Sequence, residues 1–158
     1  LIAKNLNFAK KLSSLFKQKE ITKFYIALCE GNPKNNFSQV KLDIKNKKFK
    51  IENTLTNYKL INKNRKISSI LFNPQTGKTH QLRIVSKNLG CPIVGDKKYN
   101  IYSKYKKENL MLHAFALTFT LDTRKFEFIS KLPDYFLHFI KKNNFKINKD
   151  LKNYLKSF

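Results

Sequence analysis

The stretch from Ala114 to Leu121 restricts the fold more than any other: Phe115, Leu117, Phe119 and Leu121 alternate with small or polar residues. A period of two over eight residues is the signature of a half-buried strand. Asp122-Thr123-Arg124 then turns the chain into a partner carrying Phe126 and Phe128, which predicts a hairpin. The same alternation recurs from Ile21 to Cys29, with Phe24, Ile26 and Leu28 on one face and Lys23, Tyr25 and Ala27 on the other. Gly31-Asn32-Pro33 ends that strand by turn chemistry. Shorter β-like runs are expected at 37–44, 48–52 and 54–61, and Asn62-Lys63-Asn64 reads as a hairpin turn into Ile67 to Phe72.

Helical spacing is confined to three places. Phe8, Leu12, Leu15 and Phe16 predict a helix over 5–18. Leu82, Val85 and Leu89 predict a short one that Thr79 caps and Gly90 stops. Tyr135, Phe136, Phe139 and Ile140 give an apolar side to a third, which opens at Pro133. The stretch 97–109, nearly all Lys, Tyr and Asn, reads as exposed or mobile, and the last fifteen residues as frayed. With no internal repeat and no flexible linker, the expectation is one α+β domain with a mixed, mostly antiparallel sheet flanked by helices. It occupies 1–145, with a basic tail at 146–158.

Charge narrows the partners. Thirty-three Lys and Arg against ten Asp and Glu leave +23 on 158 residues. Self-repulsion on that scale opposes folding unless a polyanion screens it, so RNA, DNA or an anionic surface is the first partner to consider. Thirty of the basic residues are Lys, alongside heavy use of Asn and Ile, a pattern that codon bias toward A and T also produces. The three Arg are therefore the informative cations, each a planar fork where Lys is the default. Cys29 and Cys91 form neither a metal spacing nor a disulfide framework, which suits a reducing, cytoplasmic setting. No apolar run is long enough to span a bilayer, and no membrane partner is expected.

The sequence holds no Gly-rich phosphate loop, no GxSxG elbow, no HExxH and no metal cluster, and its four Gly leave little for cradling nucleotides. Nucleic-acid binding, with or without modification of a base, is what survives. The densest polar cluster is Thr76-Gly77-Lys78-Thr79-His80-Gln81-Leu82-Arg83. A helix starting near Thr79 would offer free N–H groups and its dipole to a phosphate, with Lys78 adding charge. The plainer alternative is a capped helix with a solvated basic edge. Tyr25, on the polar face of its strand, is a further candidate; its plainer reading is a tyrosine with its hydroxyl in water.

The run TGKTHQLR over 76–83, followed by Gly90-Cys91-Pro92-Ile93-Val94-Gly95-Asp96 and Tyr99, closely resembles the signature of the RluA-like RNA pseudouridine synthases. Four further blocks agree in order: Ile2-Ala3-Lys4-Asn5, Lys23-Phe24-Tyr25-Ile26-Ala27 with Glu30-Gly31, Leu112-His113-Ala114, and Leu132-Pro133. The resemblance reaches to about residue 140. It implies the pseudouridine synthase fold, a basic cleft for RNA, and a reaction without metal or organic cofactor: uridine is detached at N1, turned, and rejoined to its sugar through C5. The nucleotide must first be flipped out of its stack. By position, Tyr25 matches the tyrosine that stacks on the uracil and serves C5 proton removal. Arg83 matches the arginine that orients the catalytic aspartate, a task for a bidentate fork. Lys23, Lys78, Thr79, His80 and Gln81 become contacts to RNA or supports of the pocket. Asp96 is expected to close a loop, and His113 to hydrogen-bond at a strand end.

One part of the pattern is missing. The family's nucleophilic aspartate lies in a His-Arg-Leu-Asp segment just before the block matching Leu1 to Asn5, and Lys41-Leu42-Asp43 comes after the tyrosine block rather than before it. The chain is thus expected to be an N-terminally truncated catalytic domain without its nucleophile, inactive alone. The substrate expected is ribosomal RNA, with transfer RNA possible, acted on by a monomer. The rival reading is a non-catalytic basic RNA-binding protein or an inactive remnant of the same fold.

Overall fold

A computed structural model describes residues 1–45, 48–147 and 151–158. Helix α1 (Leu6–Gln18) opens the chain, capped by the Asn5 side chain, which accepts the Phe8 N–H at 3.0 Å. Four strands follow, β1 (Thr22–Glu30), β2 (Phe37–Lys45), β3 (Ile51–Lys63) and β4 (Ile67–Pro74). After helix α2 (Gln81–Asn88) come the hairpin β5 (Leu112–Leu121) and β6 (Arg124–Ile129) and helix α3 (Asp134–Lys142). A 3-10 turn (Leu151–Ser157) ends the chain.

The strands form one sheet in the order β2-β3-β4-β1-β5-β6, and every pairing is antiparallel. The α+β expectation is met, and the sheet expected to be mixed is antiparallel throughout the described residues. Strand β4 lies between β3 and β1 and is buried along its whole length, which explains why Ile67 to Phe72 reads as an unbroken apolar run after its two serines. The main core gathers Ile26, Leu28, Ile70, Leu71 and Phe72 from the sheet with Val85 of α2 and Phe136 and Phe139 of α3. A smaller cluster of Leu15, Ile21 and Phe119 seats α1.

Four expectations need correcting. Of the run at 48–52 only Ile51 and Glu52 are strand, and they join 54–61 in one long strand, β3: Asn53 between them stays in register opposite Asp43 and bonds its carboxylate. The stripe of α1 is narrower than its spacing implies, with Phe8 45% and Phe16 47% exposed and Leu15 the buried residue. The stretch 97–109 is largely exposed, as expected, but it is anchored along its inner side, as set out below. Nor is the C-terminal tail frayed where it is described: Leu151 is buried and the Phe158 ring packs 5.4 Å from Phe24 and 5.8 Å from Phe37. Apolar side chains spaced among lysines supply the docking that composition hides. No helix among the described residues is long and apolar enough to cross a membrane.

His113, at the start of β5, has a buried Nε2 without a hydrogen-bond partner among the described residues, so the expected strand-end bonding is only half realised. Burial holds its pKa below 6.5, partly offset by a bond to the Lys131 backbone. The unfolded chain therefore binds this proton more readily than the folded one, and stability should decline as pH falls through 6.5. Urea titrations at about pH 7.5 and 5.5 should show His113→Gln narrowing the difference between the two. An unchanged difference would contradict this account.

Candidate active site

The register between β1 and β5 slips beside Tyr25. Phe24 faces Ala116, but Tyr25 faces Ala114, so Phe115 is an extra residue on β5. Such a bulge bends the strand and re-aims neighbouring side chains. Here it leaves Tyr25 half-buried at the wall of two depressions, one of about 300 Å³ shared with Arg83, His80 and Leu112, the other of about 210 Å³ shared with Lys23, Ala114 and Phe128. Burial pushes the phenol pKa up, so the hydroxyl keeps its proton at neutral pH. No hydrogen-bond partner for it occurs among the described residues.

The opposite wall is the loop from Thr76 into α2. The expectation that Thr79 caps that helix is not met: His80 holds the N-cap position in the left-handed conformation (φ 57°) without a side-chain cap bond. The order comes instead from Gln81. Its Oε1 accepts the Thr76 hydroxyl at 2.9 Å and the Lys78 N–H at 3.0 Å, while its Nε2 donates to the Leu55 carbonyl and the Thr56 hydroxyl. With every polar atom of a buried amide engaged, Gln81 supports the loop and does not face solvent. Thr79 is exposed. The Lys78 ammonium meets Glu52 at 3.1 Å, so it is not a free cation at the helix terminus.

Arg83 projects from the first turn of α2, which Leu82 and Val85 fasten to the core. Its Nε and Nη2 donate to the two oxygens of Asp96 at 2.8 and 2.6 Å. This is the fork that sequence reasoning assigned to it, but on a partner that reasoning gave only a loop-closing role. Asp96 fills that role too, accepting the N–H groups of Lys98 and Tyr99. Burial works against the carboxylate's charge, yet the Arg83 bonds and the two N–H groups prevail and hold its pKa below 3.8. The same bonds raise the guanidinium further. Tyr99 completes the cluster: the guanidinium carbon lies 5.0 Å from its ring centroid, and its hydroxyl is 3.1 Å from His80 Nδ1. Nη1 of Arg83 is left without a partner among the described residues.

The sequence thus brings Tyr25, Lys78, His80, Gln81 and Arg83 around one depression. Lys23 stands beside it, its pKa lowered by burial, between the 210 Å³ depression and a larger one of about 730 Å³. That larger groove carries Lys17, Lys19, Lys50 and Lys78 and meets the Tyr25 depression at Thr76-Gly77-Lys78. Thr79 lines none of these three. In the sequence Tyr99 stands out only as part of a motif; its contact with Arg83 needs the chain to return from 96 to the helix, which spacing does not encode.

A six-stranded antiparallel sheet with this loop and helix across it is an architecture already seen. It overlays the solved structure called Human RNA Pseudouridylate Synthase Domain Containing 4 with a TM-score of 0.82, covering 92% of this chain and 70% of that one at 22% identity. A second, Human RNA Pseudouridylate Synthase Domain Containing 1, gives 0.80 over 98% and 72% at 23% identity. Residues 1–88, which hold both Tyr25 and Arg83, match the family described as RNA pseudouridylate synthase, and the chain belongs to that family, in its RluA-like branch. Similar curated proteins include the ribosomal large subunit pseudouridine synthase C of Rickettsia prowazekii, 39% identical over 86% of this chain and 50% of the relative. The ribosomal large subunit pseudouridine synthase D of Borreliella burgdorferi is 34% identical over 89% and 47%. The chain spans about half the length of these relatives.

Proposed function

We propose that residues 1–145 are the C-terminal part of a catalytic domain that isomerises uridine to pseudouridine in large-subunit ribosomal RNA. The observation that carries this is the convergence of Tyr25 and Arg83, distant in sequence, on one depression of about 300 Å³ that opens onto a lysine-lined groove. The reaction breaks the bond from C1′ to N1, turns the base, forms the bond from C1′ to C5, and passes the C5 proton away while N1 gains one. Tyr25 offers a ring face for stacking and a protonated hydroxyl that can relay that proton. Lysines 17, 19 and 23 favour the RNA backbone along the groove, and Lys78 and His80 stand where the flipped nucleotide would pass.

The nucleophilic carboxylate comes, on this reading, from outside these 158 residues. In support, no acidic residue among the described residues lines the depression shared by Tyr25 and Arg83. Asp96 is buried behind the guanidinium, Asp43 pairs with Asn53 on the edge strand β2, and Asp122 pairs with Lys11 at the β5–β6 turn. Arg83 can keep Asp96 on one edge and still present Nη1 to a second carboxylate. The protein acts in the cytoplasm as a monomer, and the chain alone binds RNA without turnover. Transfer RNA is the alternative substrate; ribosomal RNA is favoured by the names of the relatives.

A strain lacking the gene should lose pseudouridine at one or more large-subunit positions, and an unchanged map would overturn the enzymatic reading. In the longer protein, Tyr25→Phe should keep RNA affinity within about two-fold while slowing isomerisation by roughly 10²-fold or more, the scale of a lost proton-transfer group. Equal losses in both would remove the role assigned to the hydroxyl.

A further inference from the structure

Between Asp96 and Glu108 the chain leaves the sheet and returns to the point it left. Gly95 lies so close to the returning chain that a Cβ there would stand 2.0 Å from the Asn109 carbonyl oxygen, and Met111 N–H bonds the Val94 carbonyl at 2.9 Å. This is an Ω-loop with a closed neck, a class often built for function. Its inner side is fixed: the Glu30 carboxylate accepts from Asn100 at 2.7 Å and from the Ser103 hydroxyl, and the Tyr105 ring packs edge-on against Phe139 at 5.2 Å.

What the fixing leaves outside is unusual. Five lysines fall within 97–107, all exposed, with Ile101 53% and Tyr102 92% exposed among them. No carboxylate among the described residues pairs with these lysines: Glu30 is turned inward, and Glu108 is held by Lys142 at 2.9 Å. A depression of about 450 Å³ on this surface is lined by Lys97, Asn100, Ile101 and Lys106. Solvated lysines scattered by codon bias would need neither a rigid support nor an aromatic ring held in water. Through Tyr99, which bears on Arg83 and His80, the loop is continuous with the uridine pocket.

We propose that this Ω-loop is a second RNA-binding site. It takes a single-stranded nucleotide of the substrate outside the target uridine, with a phosphate between Lys97 and Lys106 and a base stacked on Tyr102. The proposal rests on the RNA reading above. A base on an aromatic ring and a phosphate on paired cations is the sequence-tolerant mode of single-strand binding. Duplex RNA, whose bases are already stacked, gains only the charge.

The test is fluorescence anisotropy of the 158-residue chain with a labelled oligouridylate and, separately, a labelled RNA hairpin duplex, between about 50 and 200 mM salt. Lys97→Gln with Lys106→Gln should lower the salt slope on the single strand by about 0.7, one phosphate's worth. Tyr102→Ala should weaken single-strand binding roughly 5-fold or more while leaving the duplex unchanged, and Tyr102→Phe should bind as wild type. An unchanged slope in the double variant, or equal effects of Tyr102→Ala on both RNAs, overturns the site. Failure of wild type to bind RNA overturns the site together with the RNA reading. Because the assay does not report isomerisation, an intact binding pattern beside an unchanged pseudouridine map would sink the enzymatic reading alone.

Discussion

Arg83→Ala should cost this fold about 3–5 kcal/mol, which corresponds to a fall of roughly 10 °C in Tm for a chain of this size. The guanidinium is the counter-charge of a carboxylate whose side chain has no exposure, and removing it leaves Asp96 buried and uncompensated. Arg83→Lys should recover only part of the loss, since an ammonium cannot hold both oxygens of the carboxylate at once. The pH dependence follows from the direction of the Asp96 shift. In the wild type its folded pKa lies below 3.8, so the stability it contributes is present above that value and is lost as pH falls through the folded one. In the alanine variant only the Lys98 and Tyr99 N–H groups still oppose burial, and the carboxyl takes up a proton more readily, so the cost of the substitution should shrink on acidification. In an Asp96→Asn background, Arg83→Ala should cost far less than in the wild type. Urea titration of the four proteins reads this directly, and strictly additive costs would show that the two side chains are not a unit.

Gly95→Ala should be nearly as damaging, at roughly 3–5 kcal/mol, for two reasons that add. The backbone sits at φ +74°, where an L side chain is strained, and the new methyl would lie 2.0 Å from the Asn109 oxygen and 2.6 Å from its carbon. Both obstacles are backbone and cannot rotate away. Gly90 supplies the control: its φ of +75° is the same, but a Cβ there meets nothing within 4 Å, so Gly90→Ala should cost only about 1–2 kcal/mol. Hydrogen exchange should further show that Gly95→Ala exposes the amides of 96–100 before the sheet opens. Equal costs at the two glycines would mean that the neck of the Ω-loop is not closed as described.

How much of this could be read from the chain depends on whether the signal is periodic. The β5–β6 hairpin and the cores of β1 and β4 were legible because alternation reports burial directly. The bulge at Phe115 was not: a residue inserted on one strand leaves its alternation intact and shows only against the partner's register. Likewise, Thr79 looks like a cap because it precedes an apolar stripe, yet His80 occupies that position and Gln81 orders the loop from within. The fork on Arg83 was legible in kind, since a scarce Arg among lysines needs a planar partner. Which carboxylate it would hold was not, because Asp96 approaches only through a loop that composition describes as loose.

The order of the strands also bears on how the pocket comes into being. Strands β1 to β4 are near neighbours in sequence and can pair as the chain emerges, whereas β5 reaches β1 only after about 90 further residues, Phe24 waiting for Ala116. Closing so long a loop is slow, and its entropy must be overcome before the contact rewards it. Until then one edge of β1 is bare and the bulge that aims Tyr25 does not exist. Tyr25 is therefore expected to acquire its orientation only when β5 docks on β1.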